Sequence, residues 1–70
     1  MVTIYGTHCP KCNVMEKKLK QAGIEYNYID NPDEVLSFGE KNNIRSMPIS
    51  EIDGQVMDFN TANIWVNSKL

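Results

Sequence analysis

Seventy residues bound the chain to one domain over positions 1–70, with no room for a second hydrophobic core. Hydrophobic residues make up 41%, enough for a small globular core and too many for a disordered chain. A net charge of −2 leaves no electrostatic footprint for nucleic acid or an anionic membrane, and no apolar run is long enough to span a bilayer.

Val2 to Tyr5 reads as a short strand that feeds a turn at Gly6-Thr7-His8. Pro10 then suits the first position of a helix, where its missing N–H costs nothing. Cys12, Met15, Leu19 and Ala22 recur at helical spacing as one apolar stripe, and Gly23 is a natural stop. Lys11, Lys17, Lys18 and Lys20 lie off that stripe and read as a solvated face, with Glu16 and Lys20 spaced for a favourable pair. Glu25 to Asp30 is a second strand, with Tyr26 and Tyr28 on one side as core residues.

Asn31-Pro32-Asp33-Glu34 is a helix start: Asn31 caps, Pro32 takes first place, and Glu34 is positioned to close a capping box. That helix carries Val35, Leu36 and Phe38 and fades at Asn42-Asn43. Past Arg45-Ser46-Met47-Pro48, two strands over Ile49 to Ile52 and Gln55 to Phe59 flank Asp53-Gly54, a strong hairpin signal. The run Ile49-Ser50-Glu51-Ile52 breaks strict alternation, so its register is not fixed by pattern. Asn60 or Thr61 is expected to cap a last helix holding Ala62, Ile64, Trp65 and Leu70. The order β-α-β-α-β-β-α predicts an α/β fold whose first two strands are parallel and whose last two form an antiparallel pair.

Chemistry concentrates in Cys9-Pro10-Lys11-Cys12, the only two cysteines, three residues apart at a helix start. So short a loop restricts the unfolded chain little, which argues against a structural staple. The first sulfur sits at the positive end of the helix dipole, which favours thiolate over thiol. Thiolate is the nucleophile of disulfide exchange: Cys9 can attack a disulfide, and Cys12 can then displace the captured sulfur. Lys11 adds a positive charge, whereas no acidic residue stands out as the base for Cys12. His8 reads more simply as an exposed loop residue than as a group that tunes the thiol.

A strand feeding Cys-Pro-x-Cys, with Arg45-Ser46-Met47-Pro48 before the third strand and the Asp53-Gly54 hairpin after it, resembles the glutaredoxins and glutaredoxin-like redoxins. The resemblance covers nearly the whole chain and implies a thioredoxin-like fold, a four-stranded mixed sheet flanked by helices. It makes Cys9 the exposed attacking cysteine, Cys12 the buried resolving one, and Pro48 a cis-proline facing them. Met47 would offer backbone groups to an extended partner peptide; Pro10, Lys11, Arg45, Ser46 and Thr61 would complete the binding surface. The implied activity is a glutaredoxin-like enzyme, a thiol–disulfide oxidoreductase acting on disulfide-containing proteins or small molecules. No tightly bound cofactor is implied, and the expected form is a cytoplasmic monomer, since Met1 to Tyr5 lacks a charged leader and a cleavage site.

Two departures bear on the electron donor. Glutaredoxins place Gly-Gly where this chain has Asp58-Phe59, and the loop from Tyr5 to Cys9 is a residue short and lacks an anchoring lysine. Both weaken a glutathione site, although Thr61 still offers a bond from a helix N-terminus. Glutathione and a thioredoxin-reductase-type flavoenzyme therefore both remain candidate donors. Two other classes compete: a copper or zinc chaperone built on the same Cys-x-x-Cys, and a redox-inactive domain that holds a peptide beside Pro48. The metal modules run β-α-β-β-α-β and end in a strand, which this chain is not expected to do, and two thiolates leave zinc short of four ligands.

Overall fold

Local signals set the elements of the computed structural model, which describes residues 1–70. In chain order they are β1 (Val2–Tyr5), α1 (Pro10–Gln21), β2 (Tyr26–Ile29), α2 (Pro32–Asn42), β3 (Ile49–Ile52), β4 (Gln55–Met57) and α3 (Phe59–Asn67). The strands lie in the order β2-β1-β3-β4. β1 and β2 are parallel, with Ile4 opposite Tyr28, and α1 makes the crossover that a parallel pair requires. β1 and β3 are antiparallel, with Tyr5 opposite Ile49 and Ile4 opposite Ser50. β3 and β4 close as a hairpin over Asp53 and Gly54, whose φ angles of 50° and 84° suit the tight turn that matches strand twist.

Each face of the sheet is covered. Val2, Ile4 and Ile52 pack with Met15 and Leu19 of α1 and Ala62 and Val66 of α3 in one buried cluster. Tyr26, Tyr28, Phe59 and Trp65 border that cluster. Fully burying side chains of this kind stabilises by about 1.5–3 kcal/mol each. On the opposite face Tyr5 stacks on Phe38 of α2 with ring centroids 3.9 Å apart. Strands buried on both faces show no alternation, which is why Ile49 to Ile52 looked irregular. Ile49 turns to α2 and Ile52 to the other side, while the Ser50 hydroxyl is buried with no hydrogen-bond partner.

Five expectations change in detail. β2 is one residue shorter at each end than Glu25 to Asp30. Asn31 caps α2 through the amides of Asp33 and Glu34, but the Glu34 carboxylate does not return the bond, so half of the capping box forms. β4 ends at Met57, and Asp58, not Asn60 or Thr61, caps α3. Three cap-forming residues within four positions, Asp58, Asn60 and Thr61, left that start ambiguous; the carboxylate wins because it also complements the helix dipole. Ile64 and Leu70 are exposed, and Val66 takes the inward place beside Ala62.

Candidate functional site

Cys9 is the N-cap of α1: its backbone is extended, and its sulfur accepts the Cys12 N–H at 3.2 Å. Pro10 occupies the first helical position, so the missing donor falls where no partner is needed. The helix thus aims an amide and its positive end at Cys9 Sγ, the physical basis for a stabilised thiolate. Cys9 and Cys12 are joined as a disulfide, with Cα atoms 4.9 Å apart. Cys9 is half-buried and open to solvent, whereas Cys12 is completely buried. One sulfur is reachable and the other lies beneath it.

The loop before β3 comes up against this pair. Met47–Pro48 is a cis peptide, Pro48 is buried, and the Met47 carbonyl oxygen lies 3.8 Å from Cys9 Sγ. Neither the N–H nor the C=O of Met47 enters a backbone hydrogen bond, so both remain for another chain. Lys11, Arg45 and Ser46 line a groove of ≈ 250 Å³ with Asp58 and Phe59, and the Lys11 ammonium sits 5.4 Å from the Phe59 ring centroid. Lys11 is thus turned toward the start of α3. Thr61 does not line the groove; its N–H donates to Asp58 Oδ1 at 2.8 Å. That bond, with help from the Thr61 side chain, holds the Asp58 carboxyl below the ordinary carboxylate range.

A second cluster lies on the β2 side of the pair. His8 takes a left-handed φ of 56°, which points its N–H at the Tyr28 hydroxyl, 3.0 Å away. The His8 ring stacks on Tyr28 at 4.6 Å, and Nε2 meets Asp30 Oδ2 at 2.9 Å. His8 is therefore engaged with β2 rather than with Cys9. Gly6 is buried, and a Cβ there would lie 2.5 Å from the Tyr28 hydroxyl oxygen and 2.9 Å from Cys12 Sγ. Only a residue without a side chain lets phenol and sulfur share that space.

Tyr28 and Gly6 escaped the sequence reading as site residues, and so did the role of Asp58 as the cap of α3. The parallel pairing of β1 with β2, once its register was known, would have put Tyr28 beside Ile4 on the cysteine side of the sheet. Asp58 carried a signal in its spacing of three residues from Thr61, a common cap interval. As for metal, no third histidine, cysteine, aspartate or glutamate joins the two sulfurs in a ligand cluster.

No protein-family model and no curated protein matches this sequence. Among solved structures, the chain is similar to the glutaredoxin-like protein NrdH-redoxin from Escherichia coli, which has a thioredoxin-like activity profile. That match has a TM-score of 0.73 and 17% identity over 90% of this chain and 91% of the other. It is also similar to a Nu-class GST from Haemonchus contortus, with a TM-score of 0.73 and 16% identity over 99% of this chain and 36% of that longer one. Both likenesses show a thioredoxin-like α/β fold. The order ends in a helix, unlike the β-α-β-β-α-β of the metal modules.

Proposed function

We propose that the protein is a thiol–disulfide oxidoreductase that reduces protein disulfides in a reducing compartment such as the cytoplasm, and that its electrons come from a protein dithiol rather than from glutathione. The observation that carries this reading is the pairing of a solvent-reachable Cys9 sulfur at a helix N-terminus with a buried Cys12 one turn further on. In the reduced form the Cys9 thiolate attacks one sulfur of the substrate disulfide, and the other sulfur leaves as a thiolate. An extended substrate segment beside Met47 would pair with its free N–H and C=O, which holds the mixed disulfide in line. Cys12 then loses its proton and attacks Cys9 Sγ; the substrate sulfur departs as a thiolate and is protonated. Two electrons have passed from the dithiol to the substrate, and Cys9–Cys12 is closed.

A flavoenzyme of the thioredoxin-reductase type would reopen that disulfide by the reverse exchange from its own dithiol. Support comes from the start of α3, where the Asp58 carboxylate already takes the Thr61 N–H. A glutathione carboxylate approaching there meets an occupied amide and a like charge, and the Phe59 ring stands where the family keeps glycine. The test is NADPH oxidation coupled to reduction of a disulfide protein, run with thioredoxin reductase and, separately, with glutathione and its reductase. The flavoenzyme is expected to support turnover, glutathione to support little, and Asp58→Ala to raise the glutathione rate. Faster turnover with glutathione in the unmodified protein would overturn the donor assignment; no turnover with either donor would overturn the activity.

A further inference from the structure

We propose that the Tyr28 hydroxyl donates a hydrogen bond to the Cys12 sulfur whenever that sulfur carries negative charge, and thereby sets how fast Cys12 resolves mixed disulfides; this rests on the exchange chemistry proposed above. The problem it answers is electrostatic. Cys12 is completely buried, and an apolar surrounding disfavours a thiolate. Yet Cys12 must ionise to attack Cys9, and it must leave as a thiolate when a donor reopens the disulfide. The acidic and imidazole groups around the site are committed elsewhere: His8 to Asp30, Glu16 to Tyr26, Asp58 to Thr61.

Tyr28 is the group left. Its hydroxyl and Cys12 Sγ flank one point above Gly6, 2.5 Å and 2.9 Å from it. The hydroxyl oxygen accepts the His8 N–H, which fixes its position, while in the disulfide form its own proton is donated to no protein group. The stack on His8, held in turn by Asp30, fixes the ring. Burial keeps this phenol a donor by raising its pKa; the His8 N–H opposes that rise, and Glu16 on α1 and Asp30 just past β2 add to it. In the resolving step Cys12 gives its proton to solvent, its sulfur forms the bond to Cys9, and the Cys9–substrate bond breaks. Tyr28 keeps its proton throughout and contributes only the hydrogen bond.

The aromatic disulfide dithiobis(nitrobenzoate) separates the two steps. Attack by Cys9 releases one coloured thiolate at a rate set by reagent concentration; displacement by Cys12 releases the second at a rate independent of it. Tyr28→Phe is expected to leave the first phase unchanged and to slow the second on the order of tenfold at neutral pH, moving its inflection up by about one pH unit. At high pH the second phase should catch up, because a less stabilised thiolate is the stronger nucleophile. A Tyr28→Phe profile that superimposes on the parent overturns the proposal. Independently of any Tyr28 variant, thiolate absorbance of Cys9→Ser should place Cys12 ionisation at or below about 8.5, the free-cysteine value; an inflection well above it overturns the proposal too. An unmodified protein that releases only the first thiolate refutes instead the dithiol activity itself.

Discussion

Gly39→Ala tests how the loop that carries Met47 is held, because two opposed effects decide its sign. Inside a helix, replacing glycine by alanine ordinarily stabilises by about 0.8–1.0 kcal/mol. At this buried position the new Cβ would lie 2.7 Å from the Ile44 carbonyl oxygen, 3.4 Å from Ile49 Cδ1 and 3.5 Å from Met47 Cε. The carbonyl is backbone, and the Ile44 N–H is bound to the Gly39 oxygen at 2.9 Å, so it cannot swing aside like a side-chain tip. Retreat to an ordinary contact needs a shift of roughly half an ångström, and overpacking of this kind costs about 1–3 kcal/mol. The net expectation is a loss of about 1 kcal/mol, or roughly 4–8 °C in a domain this small. Urea unfolding of the oxidised protein measures it, with exposed Ser37→Ala in the same helix as the reference, expected to gain at most about 0.5 kcal/mol. The displaced segment leads to Met47, so kcat/KM for a protein disulfide should also fall while the pH dependence of Cys9 alkylation stays put. A stabilised Gly39→Ala would refute the claim that α2 packs against the loop through this contact.

Two further expectations follow from the site and its flank. In Cys12→Ser, alkylation of Cys9 by iodoacetamide should titrate within roughly 3.5–7.5, as for thiols at helix starts; an inflection near 8.5 would count against activation by the helix. Tyr26 is pushed up to about 12 by burial and then by its bond to Glu16, from an ordinary value of 10.0. A folded-state pKa above the unfolded one contributes stability that is complete below pH 10 and is lost as pH climbs toward 12. Tyr26→Phe should flatten part of that alkaline decline in urea unfolding, and parallel curves for the two proteins would show that the pair does not couple to folding.

Legibility in the sequence tracked the range of the forces involved. Pro10 and Pro32 at helix starts, Asn31 as a cap and Asp53-Gly54 as a turn act within a few residues, and each appears where the pattern placed it. The start of α3 was misplaced because Asp58, Asn60 and Thr61 all have side chains that can cap, and Phe59 suits a strand as well as a helix. Packing of the Phe59 ring against the core, with Lys11 over it, joins the dipole preference for the Asp58 carboxylate in placing the helix start. The neighbourhood of Cys12 was hidden for another reason. Tyr28 reaches it across two strands and through the absence of a side chain at Gly6, and no local pattern encodes that meeting.

The same distinction explains how the site is assembled. Cys9, Pro10 and Cys12 need only the first turn of α1 to reach their geometry. The Met47 carbonyl reaches Cys9 only because β3 pairs with β1 in the observed register, Tyr5 opposite Ile49, and because the chain is tied back at Gly39 and Ile44. Slipping a four-residue strand by one position would move Pro48 by about 3.3 Å and turn Ile49 away from α2, which removes both the free peptide edge at Met47 and the packing behind it. A dithiol on a helix is therefore a local device, but a dithiol facing a free peptide edge is a product of the sheet. Substitutions in the β1–β3 pair should consequently impair protein substrates more than small disulfides, since in the proposed mode only the former pair with the Met47 edge.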